Sequence, residues 1–319
     1  MSGLILHIGL PKTGTTFLQN WLHTNRTRLA AHGVHVPAHP IYAHRIAAQF
    51  IESDQRRKLS DVVTIQQTPY REALRSILDV PGTTRCTLLS SEYFWLDDPI
   101  ALRHGLETEG LRVDKVIAYV RRQDRLMEAG YNQEVKGMNE SSPLPPPHYS
   151  PIYDWPLLEQ RWREGLPGSR VALRNYEVEA QEGILLKGFL SELGSELVEE
   201  VAEQRFVDVP RSNESLSAEM LEVKRLANMI GAPQLLDVLV EAQKAWGGGT
   251  RFRMSENHLR HCFDAYKESN QRLAELFPNQ RFETFSSYEV WLSEQGEDFT
   301  GRLPAEFVVR LLKFLQEHK

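Results

Sequence analysis

The sequence predicts an α/β protein: three layers, α/β/α, around a central parallel sheet, followed by a C-terminal helical subdomain. Over the first 210 residues, short apolar runs alternate with helical patterns, which is typical of βαβ units with right-handed crossovers. From residue 211 onward, apolar residues recur only at helical spacing. We therefore expect an α/β core over residues 1–210 and a helical subdomain over 211–319, packed together as one integrated domain.

Each element is predicted from the period of its apolar residues and from the residues that bound it. The predicted strands cover residues 4–8, 33–37, 84–91, 113–120 and 169–174. Residues 40–80 are expected to be mainly helical. The predicted C-terminal helices cover roughly residues 215–231, 234–245, 255–276 and 303–317.

The composition is that of an ordinary globular protein, with 41% hydrophobic and 25% charged residues among 319. A formal net charge of −6 argues against a general nucleic-acid binder. Cys86 and Cys262 are isolated, so neither a disulfide framework nor a zinc site is expected. No stretch is apolar enough to span a membrane, and the N-terminus lacks the basic leader of a signal peptide. We expect a cytoplasmic protein without a membrane span or a nucleic-acid partner.

The stretch from Leu4 to Gln19 combines an apolar strand, a glycine-containing loop and the start of a helix. The backbone N–H groups and the positive dipole end of such a helix start form an anion site. Gly9 and Gly14 allow close approach of the backbone, and Lys12 adds a positive charge. The loop is therefore predicted to bind a phosphate-like group. The residues expected to contact this group are Pro11, Lys12, Thr13, Gly14, Thr15 and Thr16.

The position of the lysine indicates which group is bound. The nucleoside-triphosphate loop carries its lysine directly after the second glycine, where this chain has Thr15. Lys12 lies inside the loop instead, and no apolar strand ends in an aspartate that would serve as a second magnesium ligand. This arrangement favours a nucleotide with less terminal charge, such as a 5′-phosphosulfate. A divergent magnesium-dependent kinase loop is the open alternative.

Two further polar segments follow predicted strands and are expected at the same sheet edge. Glu92 follows the strand that ends at Ser91, and it is the first candidate for a base that takes the proton of an acceptor. Three aromatic residues follow Glu92 and predict apolar surroundings for its carboxylate. His44 is the second candidate base. The alternatives are a helix cap or ion-pair role for Glu92 and an ordinary surface position for His44.

The loop sequence Gly-Leu-Pro-Lys-Thr-Gly-Thr-Thr at residues 9–16 resembles the 5′-phosphosulfate loop of sulfotransferases that use 3′-phosphoadenosine 5′-phosphosulfate (PAPS). The Ser-Glu strand end and the segment at 119–125 resemble the corresponding segments of bacterial members. The resemblance implies a P-loop-like sulfotransferase architecture. It also implies that Lys12 stabilises the leaving oxygen and that Thr15 and Thr16 contact the 5′-phosphate.

Arg122 follows the strand at 113–120, and the resemblance assigns it to the 3′-phosphate. The family has a second 3′-phosphate contact, a serine, eight residues after this arginine, where this chain has Gly130. A backbone N–H, Tyr131 or Asn132 is the possible substitute. The alternative for Arg122 and its neighbour Arg121 is a structural ion-pair cluster with the acidic residues 124 and 128.

Arg211 begins a segment, 211–217, that resembles the Asn-x-Ser-Leu-Ser segment of the same bacterial group, and it is a further candidate nucleotide contact. Helix capping is the alternative role for this segment.

The predicted function is transfer of a sulfuryl group from PAPS to a hydroxyl or amine of a small-molecule or carbohydrate acceptor. The reaction would be an in-line displacement without a metal ion. A magnesium-dependent P-loop nucleoside or small-molecule kinase and a non-catalytic nucleotide-binding protein of the same fold are the alternatives. No pattern in the sequence indicates which acceptor is used or which oligomeric state the protein has.

Overall fold

The computed structural model describes residues 3–39, 41–51, 70–78, 80, 82–202, 215–294 and 303–317. As the sequence predicts, the protein is an α/β protein with a central five-stranded parallel sheet flanked by helices. The strands are β1 (Gly3–Ile8), β2 (Val34–His35), β3 (Cys86–Ser91), β4 (Val113–Val120) and β5 (Arg170–Asn175). The strand β2 is short, as expected before Pro37, because a proline cannot donate to the ladder.

The strand order is β2-β3-β1-β4-β5, and every neighbouring pair is parallel. All carboxyl ends therefore lie at one edge of the sheet. The strand β1 is at the centre, between β3 and β4, and every residue of β1 after Gly3 is buried. The loop that follows β1 therefore begins between the carboxyl ends of β3 and β4.

The described residues form two compact units. The first unit comprises residues 1–121, 155–212 and 276–281, and the second comprises residues 122–154, 213–275 and 282–319. The helices of the first unit are α1 (Thr15–Thr24), α2 (Arg26–Ala31), α3 (Ile41–Ala47), α4 (Tyr70–Leu78), α5 (Pro99–Glu107), α7 (Trp155–Gly165), α8 (Tyr176–Gln181), α9 (Leu185–Ser191) and α10 (Ser195–Ala202). The helices of the second unit are α6 (Gln123–Gly137), α11 (Ala218–Met229), α12 (Leu236–Trp246), α13 (Glu256–Leu276), α14 (Tyr288–Ser293) and α15 (Ala305–Glu317).

From residue 215 onward, the described residues form helices and no named strand, as the sequence predicts. The predicted division of the chain at residue 210 stays a prediction. None of the described helices is long and apolar enough to cross a membrane.

The core of the first unit anchors the loop after β1. Leu18, Trp21 and Leu22 recur at helical spacing on α1, and all three are buried against the sheet. Phe189 of α9 packs into the same cluster as Ile5 of β1. Burial of side chains of this size contributes roughly 1.5–3 kcal/mol each to the free energy of unfolding. This packing fixes where α1 begins relative to the end of β1.

The second unit has its own apolar clusters. Tyr131 and Val135 of α6 pack with Leu221 of α11 and Leu239 of α12. A second cluster includes Trp291 of α14, together with buried residues of α13. The apolar residues predicted to form the C-terminal helices therefore line the cores of this unit.

Candidate functional site

The loop between β1 and α1 has an unusual backbone. Lys12 has a φ of 62° and Gly14 a φ of 77°, so both residues are in the left-handed region. Non-glycine residues rarely adopt this conformation, and where they do, the surrounding structure must hold them there. Gly14 is the N-cap of α1, and no side chain caps this helix. The first-turn N–H groups, which have no carbonyl partner within the helix, therefore remain at the loop.

Two of the three predicted threonine contacts instead stabilise the loop from inside. The hydroxyl of Thr13 donates to the carbonyl oxygen of Leu10 at 2.7 Å, and that of Thr15 donates to the same oxygen at 3.1 Å. Both threonines are buried, whereas Thr16 is exposed. A hydroxyl has a single proton to donate. Thr13 and Thr15 would therefore have to leave Leu10 in order to donate to a ligand, and Thr16 would not.

Both glycines of the loop lie against other atoms. A Cβ on Gly9 would be 2.4 Å from Cγ2 of Thr15. A Cβ on Gly14 would be 2.8 Å from Cδ2 of Leu185 on α9. A larger residue at either position would therefore force the loop to move.

Arg121, directly after β4, holds the loop from the neighbouring strand. Its Nη1 donates to the carbonyl oxygen of Lys12 at 3.0 Å, and its Nε donates to Oε1 of Glu177 at 2.9 Å. The guanidinium also lies over the ring of Tyr176, 5.3 Å from its centroid. The sequence predicts, as the alternative for Arg121, an ion-pair cluster with acidic residues 124 and 128. The observed partners are instead the loop after β1 and α8.

His44 of α3 is fixed at the end of β3. Its Nδ1 lies 2.7 Å from Oγ of Ser91, and the same Oγ accepts a hydrogen bond from the backbone N–H of Tyr93 at 3.1 Å. Burial, with a smaller contribution from nearby His39, lowers the pKa of His44 to about 4. His44 is therefore a partly buried, neutral imidazole at neutral pH, and it is not an ordinary surface histidine.

Glu92 follows Ser91 directly and is exposed. The expectation of apolar surroundings for its carboxylate is therefore wrong. Among the aromatic residues that follow it, Phe94 is fully buried. Glu92 lies at the sheet edge where Ser91 ends β3.

A pocket lies next to this edge in the first unit. It is small, with a cavity volume of about 20 Å³, and its lining is largely apolar with a few polar side chains. The lining residues are Gln19, Leu22, His23, Val36, Pro37, His39, Ala43, Leu88 and Ser90. His7 lies behind Ser90, with its Nδ1 2.7 Å from the serine Oγ, and burial lowers the pKa of His7 to about 3.

Arg122 belongs to the second unit, where it caps the start of α6 and is buried. Its Nε and Nη2 donate to the two carboxylate oxygens of Asp124 at 2.8 and 2.9 Å, and its Nη1 lies 3.1 Å from Oε2 of Glu294. Burial by itself would raise the pKa of Asp124, but the guanidinium of Arg122 and its hydrogen bonds hold the pKa below its usual value. Arg122 thus makes the ion pair with residue 124 that the alternative describes. Its assignment to a 3′-phosphate stays a prediction.

Gly130 lies within α6, and among the described residues no atom beyond its chain neighbours and the nearby helix backbone lies within 4 Å of where its Cβ would be. The suggested substitutes for the missing serine have other bonds: the Tyr131 hydroxyl donates to the carbonyl of Ser142, and the Asn132 side chain bonds the backbone of Leu216. Arg211 lies outside the described residues.

Arg121 and Ser91, which hold the loop and His44, are not predicted as positioning residues from the sequence. The sequence features that mark these positions are two adjacent serines at the end of β3 and two adjacent arginines after β4. The partners of Arg121 and Ser91 come from distant segments, so the sequence did not show what they bind.

The chain matches no known protein-family model. An uncharacterized protein of Archaeoglobus fulgidus is 25% identical over 211 residues, and the match spans 64% of this chain and 56% of that protein. The crystal structure of a sulfotransferase from Alicyclobacillus acidocaldarius has a TM-score of 0.38 at 14% identity, over 74% of this chain and 96% of that chain. Neither similarity assigns the chain to a family.

The left-handed conformation of Lys12 predicts that Lys12→Gly and Lys12→Ala differ in stability, although both variants lack the ammonium group. Alanine at this position keeps the cost of a left-handed L-residue, whereas glycine does not. We expect the free energy of unfolding of Lys12→Gly to exceed that of Lys12→Ala by about 1 kcal/mol, as measured by urea denaturation. Equal stabilities, or a more stable alanine variant, would show that residue 12 does not have this conformation.

The low pKa of His44 predicts acid sensitivity. The unfolded chain takes up a proton at His44 near pH 6.5, whereas the folded protein takes it up only near pH 4. The stability linked to His44 is therefore fully present above pH 6.5 and is lost as the pH falls towards 4. Between these values, His44→Gln should reduce the slope of unfolding free energy against pH by up to about 1.4 kcal/mol per pH unit.

The measurement for His44 is urea denaturation of wild type and variant at pH 4.5, 5.5, 6.5 and 7.5. His104→Gln, at an exposed histidine of α5, is the matched control and should follow the wild type. Parallel curves for wild type and His44→Gln would contradict a buried neutral imidazole.

Proposed function

We propose that this protein transfers a sulfuryl group from PAPS to a hydroxyl or amine of a small-molecule or carbohydrate acceptor. The observation that carries the proposal is the loop that holds Lys12. Arg121 bonds the carbonyl of Lys12, and the first turn of α1 follows at Gly14. A lysine in a left-handed position beside a helix N-terminus suits an anionic phosphosulfate.

The residues of the loop that fit the donor are Lys12, Thr16 and the first-turn N–H groups of α1. In the proposed step, the acceptor oxygen or nitrogen bonds to sulfur while the bond from sulfur to the bridging oxygen breaks. The electron pair of that bond goes to the 5′-phosphate of the departing bisphosphate. Lys12 stabilises the charge that develops on the bridging oxygen, a role that typically accounts for about 10²–10³ in rate.

The proton of the acceptor goes to Glu92 or His44 in this proposal. Glu92 supplies an exposed carboxylate at the end of β3. For His44 to act, its own proton is on Nδ1 and is donated to Ser91, so that Nε2 keeps its lone pair. The pocket between α1 and α3 is the proposed acceptor site, because its lining combines apolar and hydrogen-bonding side chains.

The second candidate is a nucleotide-binding protein that does not bind a 3′-phosphate. It would be either a kinase or a non-catalytic protein. Arg122 favours it, because the guanidinium that would bind the 3′-phosphate is paired with Asp124 and Glu294. Gly130 favours it as well, because no hydroxyl is present there.

A thermal-denaturation titration distinguishes the two candidates. We expect 3′-phosphoadenosine 5′-phosphate to stabilise the wild type by roughly 2.7 kcal/mol at about 100 times its dissociation constant. Adenosine 5′-monophosphate and Mg·ATP should bind more weakly. Lys12→Ala should lose the response, whereas Lys187→Ala, at an exposed lysine of α9, should retain it. Stabilisation by Mg·ATP alone, or by the monophosphate equally well, would refute the proposed donor.

Gly130 provides a second test, because α6 has space for a side chain there. Gly130→Ala and Gly130→Ser should both stabilise the helix, alanine by about 0.5–1 kcal/mol and serine by less. If the 3′-phosphate lies near this turn, then Gly130→Ser alone should bind the bisphosphate more tightly, with no change for the monophosphate. Equal affinities of the two variants in isothermal titration calorimetry would place the 3′-phosphate elsewhere.

A further inference from the structure

The start of α1 packs against two other helices of the first unit. Gly14 is the N-cap of α1, and a Cβ on Gly14 would lie 2.8 Å from Cδ2 of Leu185 and 3.3 Å from Cε2 of Tyr176. Tyr176 is the first residue of α8, and Leu185 is the first residue of α9. Because these contacts are close, the positions of α8 and α9 determine where the first turn of α1 begins.

One buried hydroxyl group contacts both of these helices. Tyr119 of β4 is fully buried, and its Oη lies 2.7 Å from Oε2 of Glu179 on α8. The same Oη lies 2.9 Å from the carbonyl oxygen of Leu185 on α9. Burial, together with the nearby carboxylate of Glu179, raises the pKa of Tyr119, so the hydroxyl keeps its proton at neutral pH. Tyr119 therefore links α8 and α9 to the sheet.

The Tyr119 hydroxyl has one proton to donate, but its oxygen can also accept a hydrogen bond. A protonated Glu179 carboxyl donates to this oxygen and leaves the Tyr119 proton for the carbonyl of Leu185. Burial raises the pKa of Glu179 and favours this form, whereas the guanidinium of Arg174 lowers the pKa and favours the carboxylate. In either form, Glu179 is a partner of Tyr119.

Glu179 is itself held by close contacts. Its Oε1 accepts a hydrogen bond from Nε of Arg174 at 2.7 Å, and Nη1 of Arg174 lies 2.9 Å from Oε1 of Glu192 at the end of α9. Gly188 of α9 lies directly against the Glu179 carboxylate, because a Cβ on Gly188 would overlap Oε2. The partner that Tyr119 bonds on α8 is therefore packed against α9 as well.

We propose that Tyr119 is a positioning residue that sets the orientation of the first-turn N–H groups of α1 by holding α8 and α9. It acts through the contact between Leu185 and Gly14. Arg121, two residues later in the chain, holds the same loop at the carbonyl of Lys12. The inference rests on the proposed function only where it takes the 5′-phosphate of the sulfuryl donor as the anion that these N–H groups bind.

Tyr119→Phe removes the hydroxyl and keeps the ring. We expect its affinity for 3′-phosphoadenosine 5′-phosphate, measured by isothermal titration calorimetry, to fall about tenfold, which corresponds to the loss of one hydrogen bond. In the protein without nucleotide, amide hydrogen exchange of residues 13–18 should become about tenfold faster, because their local opening is easier. Exchange in α7 should not change.

Glu179→Gln tests whether the hydrogen bond or the charge of Glu179 matters. The glutamine amide can donate to Tyr119 as a protonated carboxyl does, so this variant should keep the exchange rate of the loop and the affinity of the wild type. Equal losses in Glu179→Gln and Tyr119→Phe would show that the negative charge holds the loop, and would overturn the role assigned to Tyr119.

The matched control is Tyr266→Phe in the second unit. Tyr266 is fully buried, and its hydroxyl donates to the carbonyl of His148 at 3.3 Å and accepts from the backbone N–H of Ser150 at 2.9 Å. The control loses the same chemical group, and it should keep the exchange rate of the loop and the affinity of the wild type. Circular dichroism and urea denaturation check that each variant is folded and compare the stabilities.

The two measurements separate the positioning role from the donor. Faster exchange confined to the loop of Tyr119→Phe supports the positioning role. If no protein then binds the bisphosphate, the proposed donor is wrong and the positioning role stands. If Tyr119→Phe keeps both the exchange rate and the affinity of the wild type, the positioning role is wrong and the proposed function stands. Exchange that is equally faster in the loop and in α7 would show general destabilisation and would also refute the role.

Discussion

The hydrogen bond from Arg121 to the carbonyl of Lys12 is the contact on which the site in the first unit depends. It holds a lysine in a left-handed conformation that costs about 1–2 kcal/mol for a non-glycine residue. The two hydroxyls that donate to Leu10 hold the other side of the same turn. Because β4 is next to β1 in the sheet, the residue after β4 is within reach of the loop. The strand order therefore places Arg121 where it can hold the strained backbone of Lys12.

The end of β3 places two ionisable side chains, His44 and Glu92, in different environments. His44 is neutral because its surroundings disfavour the imidazolium ion, and Ser91 holds one of its ring nitrogens. Glu92, the next residue along the chain, is exposed and carries its carboxylate in contact with water. Ser91 and Glu92, which are adjacent in the sequence, thus bring a neutral imidazole and an exposed glutamate to the end of β3.

The second unit contains a cluster of buried charged side chains at the start of α6. Buried arginines must be paired, because an unpaired buried charge costs several kcal/mol. Asp124 provides this pairing from the same helix, and Glu294 provides it from a half-exposed position. The ion pairs of Arg122 therefore compensate the cost of burying its charge.

The α/β class, the five strands and most of the described helices are predictable from the sequence, because the period of apolar residues reflects which face of an element is buried. The loop between β1 and α1 is predictable as well, because an apolar strand, glycines and a helix start are adjacent in the chain. In contrast, the bonds of Arg121 to Lys12, of His44 to Ser91 and of Arg122 to Glu294 each join segments that are far apart in the sequence. Local patterns determine which residues carry charge and hydroxyl groups at a strand end. Only the tertiary structure decides which of these groups meet, because strand order and helix packing set the distances over which hydrogen bonds and ion pairs form.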